Sequence, residues 1–316
     1  MKTKKVLIAV GGHGAELSTA INASHKLVDT VNSLGFEVNV ALIDSLISNL
    51  SLAKQADFVY IVSYGGIGEN GGFQSILEEN NIPFTGCIGS VSAICKDKFL
   101  CKKILSSVGI LVAKGFKFNC LTTNDEIVDK MVAQSINFPV ILKPRFTGGS
   151  SIGIQIVYNL SDLKASLRKV KSYDNQFILE EYIKGTDYIA GSVTRNAESH
   201  IFPVGKAKIN KDQNFADRFA EGESIFEISV NQEINQKIKK ISKKINLFLE
   251  ITGMSYIDFR VNEKNIPYFI EIGTMYGISD NSILPLSAKA EGIDFSELVK
   301  YDIKLATNRE RNNDSH

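Results

Sequence analysis

Apolar positions change their period in a regular way along this chain, and the changes mark its elements. The run VLIAV at 6–10 is short and continuous, as in a strand buried on both faces. It leads through the turn GGHGAE into a stretch where Leu17, Ala20, Ile21, Leu27, Val28, Val31 and Leu34 recur at helical spacing. Gly35 is placed to stop that helix. EVNVALI (37–43) and DFVYIVSYGG (57–66) predict further strands, and GFQSILEENN (72–81) another helix. Alternation of this kind implies a parallel, doubly wound sheet.

The pattern changes near Ser92. DKFLCKKILSSVGI predicts a helix and FPVILKP (138–144) a strand. The glycine-rich RFTGGSSIG (145–153), a strand IQIVY, a helix from about Ser161 and the strand QFILEEYI (176–183) follow, as in a small α+β module. A third section predicts strands DYIAGSVT and HIFPVG, a polar loop over 207–224 and an amphipathic helix over 233–250. It closes with paired strands YIDFRVN and PYFIEIG and a final helix, where Asp294 and Glu297 stand at capping-box spacing. The resulting division is 1–92, 93–185 and 186–309, with a polar tail at 310–316 expected to be disordered.

Composition narrows the partners. The chain has 316 residues, enough for two or three modules and a large core. Its 36 basic and 35 acidic residues leave a net charge of +1, which argues against nucleic acid or an anionic membrane as the main partner. The lysines of KIKKISKK (237–244) read as the solvated face of a helix whose other face carries Ile234, Ile238, Ile241, Ile245 and Phe248. No apolar run has the length of a membrane span, and MKTKKVLIAVGG is too short for a secretory signal. Cys87, Cys95, Cys101 and Cys120 lack CxxC spacing and read as reduced structural thiols. The scattered histidines exclude a zinc motif. A cytoplasmic location is expected.

Three stretches hold candidate chemistry. KPRFTGGSSIG sets Lys143 at a strand end before small residues whose free N–H groups suit a polyphosphate, although it is not a Walker A loop. A flexible hairpin tip is an equal reading of it. Asp258 and Glu271 lie on strands joined by NEKNIP, so cross-strand pairing would set two carboxylates side by side, a natural seat for Mg²⁺ with phosphate oxygens. The plain alternative is two surface acids on an edge hairpin, which the apolar neighbours Phe259, Phe269 and Ile270 disfavour. LEEYIKGTDY (179–188) offers strand backbone for an adenine and Asp187 for ribose hydroxyls, or an ordinary strand and turn.

The order of these pieces resembles the ATP-grasp superfamily, and within it the D-alanine–D-alanine ligases, over nearly the whole chain. GGHGAE is similar to the family's GGxSxE, and GGIGENGGFQSILEENNIPFTG to GxxGEDGxxQGxLExxxIPYTG. KDKFLCKKIL matches its DKxxxK helix, PVILKP with GSSIGI its phosphate loop, and DNSILPLSAKAEGIDFSELV its ending. The resemblance implies a three-domain α/β ATP-grasp architecture. In it, a doubly wound N-terminal sheet precedes a small central α+β domain and a C-terminal α+β domain. It also implies ATP and Mg²⁺, with Mn²⁺ as an alternative ion, a homodimer, amino-acid-like substrates, and peptidoglycan biosynthesis as the setting. A substrate carboxylate takes the γ-phosphoryl group and an amine then attacks the acyl phosphate.

By position, the resemblance gives Lys98, Lys143 and Ser151 to ATP phosphates, Glu180 and Ile183 to the adenine edge, and Asp187 to the ribose. Asp258 and Glu271 would bind Mg²⁺. Glu16 would meet the first substrate's ammonium group, with Glu69 nearby. Gly277 and Ser150 would serve the reacting centre, and Ser282 with Ile283 the second substrate's carboxylate.

The departures cluster at that centre. The family's E-x-N becomes Glu271-Ile272-Gly273, its P-G turn Tyr276-Gly277, an arginine two residues before the aspartate Tyr256, and a histidine Tyr64. NFADRF (214–219) brings Arg218 and Phe219 where the family has a Lys-Tyr pair. Arg260, two residues beyond Asp258 and therefore on the same strand face, is expected to replace the missing arginine. Three functions follow in order: a ligase with altered amino-acid choice, a genuine D-alanine–D-alanine ligase, and a non-catalytic nucleotide-binding protein.

Overall fold

A computed structural model describes residues 4–146, 153–208 and 226–313. The N-terminal section runs β1 (Lys5–Gly12), α1 (Ala15–Ser33), β2 (Glu37–Leu42), α2 (Ile43–Ser48), α3 (Ser51–Gln55), β3 (Phe58–Tyr64), α4 (Gly72–Glu79) and α5 (Gly89–Lys96). Its three strands form a parallel sheet in the order β2-β1-β3. The continuous apolar run of β1 is explained by burial on both faces. Val6, Ile8 and Val10 face α1, while Leu7 and Ala9 face Ile43, Leu46 and Phe73 of α2 and α4. Ile43, expected to end a strand, instead opens α2 and is buried with Leu46 at helical spacing. The strand order reverses at β1, and in open parallel sheets such a switch point is where a ligand crevice lies, here at the carboxyl ends of β1 and β3.

The central section contains α6 (Lys98–Ser107), β4 (Gly115–Asn119), α7 (Asn124–Ala133), β5 (Val140–Pro144), β6 (Gln155–Val157), α8 (Leu160–Val170) and β7 (Gln176–Glu181). Its antiparallel sheet has the order β4-β7-β5-β6, packed on α7 and α8 through Phe118, Ile127, Leu142, Leu163 and Phe177. Sequence reasoning missed β4 and α7, although α7 carries a full capping box: the Thr123 hydroxyl accepts from Glu126 N–H at 3.3 Å, and Glu126 accepts from Thr123 N–H at 2.7 Å.

The C-terminal section contains β8 (Gly185–Arg195), β9 (Glu198–Ile201), β10 (Gly205–Ala207), β11 (Phe226–Ile228), α9 (Gln232–Phe248), β12 (Gly253–Asn262), β13 (Pro267–Gly273), α10 (Ile283–Lys289) and α11 (Phe295–Asn313). The sheet order is β11-β10-β8-β12-β13, with β9 on β8. HIFPVG is therefore two strands, not one. Ile234, Ile238 and Ile245 of α9 pack on this sheet as expected, but Phe248 is exposed and Leu249 is buried instead.

Two packing relations cross the section boundaries and position the site. Cys95 of α5 with Cys101 and Leu105 of α6 join Ile257, Phe269 and Ile272 in one core, so α6 lies against the C-terminal sheet. Val299, Ile303 and Ala306 of α11 return to the N-terminal sheet, where Arg309 stacks over Phe84 and donates to the carbonyls of Phe84 and Gly86. The helix continues to Asn313, its earlier turns anchored on a buried surface, and of the tail expected to be disordered residues 314–316 lie outside the described residues. The four cysteines are unpaired, and among the described residues no helix is long and apolar enough to cross a membrane.

Candidate functional site

The site begins with strand alternation. On β12 the side chains of Ile257, Phe259 and Val261 are buried in the core, which turns Tyr256, Asp258 and Arg260 to the opposite face. In the antiparallel pair with β13, Asp258 stands directly opposite Glu271, the juxtaposition expected from the hairpin. A register shift follows at once, since Phe259 pairs with Phe269 and Ile270 is the extra residue. Asp258 Oδ1 is buried without a hydrogen-bond partner. Burial, and then the negative charges of Glu271 and Asp187, push its carboxyl well above the usual range. An orphaned carboxylate facing a second acid fits a divalent cation, which takes carboxylates together with phosphate oxygens. Among the described residues no group of three His, Cys, Asp or Glu could hold a metal alone, so two carboxylates are what the protein offers here.

Positive charge is brought to these acids by α6. Asp97 caps the helix, accepting from the N–H groups of Phe99 (3.2 Å) and Leu100 (3.1 Å), and Arg145 fixes Asp97 from the end of β5. The first helical residue is then Lys98, whose Nζ lies 3.9 Å from Glu271 Oε2. Burial chiefly lowers the Lys98 pKa, against the opposing charge of Glu271. One turn on, Lys102 projects from the same helix face and holds both oxygens of Glu180 at 2.6 Å. Lys143 reaches Glu180 Oε2 at 2.9 Å from β5. Burial alone would raise the Glu180 carboxyl, but the two lysines outweigh it and hold it at about 2. Burial lowers Lys102 to about 7 against the charge of Glu180, whereas at Lys143 burial is outweighed by the charge and hydrogen bond of Glu180 and the pKa is raised, so Lys143 is the firmer cation of the two.

Glu180, expected at the adenine edge, has its carboxylate on the two lysines and its backbone within the β4–β7–β5 ladder. Lys102 was missed, although two lysines four residues apart beside a capping aspartate were visible in DKFLCKK. Arg260 is held by three acceptors. Its Nε donates to the Ile183 carbonyl (3.0 Å), Nη1 to Asp187 Oδ1 (2.7 Å) and Nη2 to the Tyr182 hydroxyl (3.2 Å). It lies on the Asp258 face, as expected, and Asp187 on β8 is its direct cross-strand partner. Ile183, Asp187 and Arg260 thus form one cluster beside the carboxylate pair.

At the crevice of the N-terminal sheet, Glu16 lies over Gly65, whose Cβ would collide with the Glu16 carboxylate, and Gly65 has φ +83°. Burial raises the Glu16 pKa, with Lys96 opposing and Glu69 assisting. Glu69 accepts from Gly65 N–H (2.6 Å) and Lys96 (2.7 Å). The turn after β13 brings Gly277 against Ser282: a Cβ at 277 would overlap the serine side chain, and Ser282 Oγ hydrogen-bonds Ser279 Oγ at 2.7 Å. Ile283 is buried at the start of α10. Ser150, Ser151, Arg218 and Phe219 lie outside the described residues.

A family model described as D-ala D-ala ligase C-terminus matches residues 104–304. A D-alanine–D-alanine ligase of Clostridium botulinum is 30% identical over 297 residues, covering 93% of this chain and 96% of that protein. The D-alanine–D-alanine ligase B of Clostridium perfringens is 28% identical over 307 residues, covering 96% and 99%. Among solved structures, D-alanine–D-alanine ligase from Bacillus anthracis complexed with ATP superposes with a TM-score of 0.83 at 25% identity, covering 98% of this chain and all of that one.

Proposed function

Because this chain belongs to the D-alanine–D-alanine ligase family, we propose that it is an ATP-dependent carboxylate–amine ligase working through an acyl phosphate, with an altered choice of amino acid. The observation that carries this reading is the direct pairing of Asp258 with Glu271, with Lys98 beside them. Asp258 and Glu271 would hold Mg²⁺ or Mn²⁺, which when bound offsets phosphate charge. Lys98 and Lys143, with Lys102 behind them, would neutralise the nucleotide's phosphates, and Ser150 and Ser151 would add donors from the glycine-rich loop. Ile183 and Asp187 would meet the adenosine, with Arg260 fixing both.

The first substrate would enter at the N-terminal crevice, its ammonium group on Glu16 near Glu69. Its carboxylate oxygen attacks the γ-phosphorus, ADP leaves, and the resulting acyl phosphate is attacked at carbon by the second substrate's amine, expelling phosphate. Ser282 and Ile283 would seat the second carboxylate, Gly277 the reacting oxygen, and Arg218 would serve the reacting centre. The protein's part is charge neutralisation, alignment and exclusion of water. A homodimer belongs to the same proposal.

Altered substrate choice is supported by Tyr64, Tyr256 and Gly273, which depart from the family's residues, Tyr256 packing directly on Gly273. Joining two D-alanines is the second reading, favoured by relatives of that name along the whole chain. ADP release measured with ATP, Mg²⁺ and a panel of D- and L-amino acids decides between them. Turnover with D-alanine alone selects the second reading, turnover only with other amino acids the first, and no ADP from folded, ATP-binding protein removes both.

A further inference from the structure

The face of β13 that carries Glu271 offers Gly273 two residues on, the place from which a further side chain of this strand would reach the cation site. That place is filled from the neighbouring strand. Tyr256 pairs directly with Gly273, and a Cβ built on Gly273 would stand 2.6 Å from the Tyr256 hydroxyl oxygen and closer still to the ring carbons. The glycine is required by this contact, not by its backbone, whose φ is not in the left-handed region. No other described residue hydrogen-bonds the Tyr256 hydroxyl. Its surroundings are acidic: after burial, the charges of Glu271 and Asp258 act most strongly on it, followed by Glu69 and Tyr64 from the N-terminal section. The phenol oxygen thus lies where a side chain on residue 273 would begin, on the strand face that carries Glu271.

We propose that the Tyr256 hydroxyl is the third protein oxygen of the cation site, supplied across the ladder in the place Gly273 leaves, so that residues 256 and 273 act as one unit. A hydroxyl oxygen has lone pairs for a hard cation and brings no further negative charge to oppose phosphate. Arg260 cannot take this place, because three acceptors hold its guanidinium at Ile183, Asp187 and Tyr182.

The test is Mn²⁺ binding, followed by calorimetry and by the spin signal of the free ion, on the full chain without nucleotide. Tyr256→Phe keeps the ring over Gly273 and removes only the oxygen. It is expected to weaken Mn²⁺ binding about 10-fold or more, the scale on which supporting groups tune metal sites. In Tyr256→Ala with Gly273→Asn the oxygen returns from β13, and most of the affinity is expected back, while each single change loses it. Unchanged binding by Tyr256→Phe, or strictly additive losses in the double variant, overturns the proposal. The proposal rests on the cation site proposed above, so Asp258→Asn is measured beside it. Unchanged binding in Asp258→Asn removes that site itself, whereas loss there with unchanged Tyr256→Phe removes only the tyrosine's part.

Discussion

Asp258 faces Glu271 across the β12–β13 ladder with one of its oxygens buried and unpartnered. Two acids held together in this way cost stability until a cation joins them. Asp258→Asn is therefore expected to melt at the same temperature as the unaltered protein or a few degrees higher without metal. It should also lose the rise in melting temperature that Mg²⁺ with ATP gives the unaltered protein. Ligase turnover should fall by about two to three orders of magnitude, the usual scale for losing a group that stabilises transition-state charge. Differential scanning fluorimetry with and without ligands, beside ADP release, measures all three.

Glu180 is the only carboxylate on two buried lysines among the described contacts of Lys102 and Lys143. Glu180→Gln leaves those charges unpaired and is expected to cost about 3–5 kcal/mol in urea unfolding, the range for breaking a buried ion pair from one side. Lys102→Met leaves the Lys143–Glu180 pair and should cost less. The folded carboxyl titrates at about 2, below its ordinary 4.5, so its stabilisation is complete above 4.5 and is lost as pH falls towards 2. Glu180→Gln should flatten the stability curve in that window.

Asp302 has the opposite sign. It lies buried under the Tyr60 and Tyr276 hydroxyls, and burial raises its carboxyl from 3.8 to about 6. Between those values the unfolded chain releases the proton first, so stability falls as pH rises from about 4 to about 6. Asp302→Asn, which keeps the hydrogen-bond acceptor, is expected to remove that fall. Melting temperatures from pH 4 to 7 would show it, and a parallel slope in the variant would contradict it.

For Arg260→Ala, the contacts predict a binding defect. Releasing the Ile183 carbonyl and Asp187 should raise the KM for ATP more than it lowers kcat. A fall in kcat at unchanged KM would return Arg260 to the reacting centre.

The two strands and the short NEKNIP turn between them were legible because both are local, but the register that the turn sets, Phe259 with Phe269, would place Asp258 opposite Ile270, and it is the extra residue Ile270 that brings Glu271 opposite Asp258. The capping box of Asp294 and Glu297 was legible because it too is local, with Asp294 N–H bonding Glu297 and Glu297 N–H bonding Asp294. The rest is set by contacts between distant segments. Lys102 meets Glu180 across 78 residues of chain, and Arg260 meets Asp187 across 73. Strand neighbours of that kind have no local signature, so the right face of Arg260 was readable and its partner was not. Likewise Tyr256 and Gly273 read as two separate departures, and only their register makes them one contact.

The most direct test of the ligase reading follows an oxygen atom. The amino acid that supports ADP release is supplied with ¹⁸O in its carboxyl group, and the inorganic phosphate is analysed by mass spectrometry. Attack of that carboxylate on the γ-phosphorus, followed by amine attack at carbon, predicts one ¹⁸O in each phosphate released. Phosphate carrying no label would contradict an acyl phosphate route.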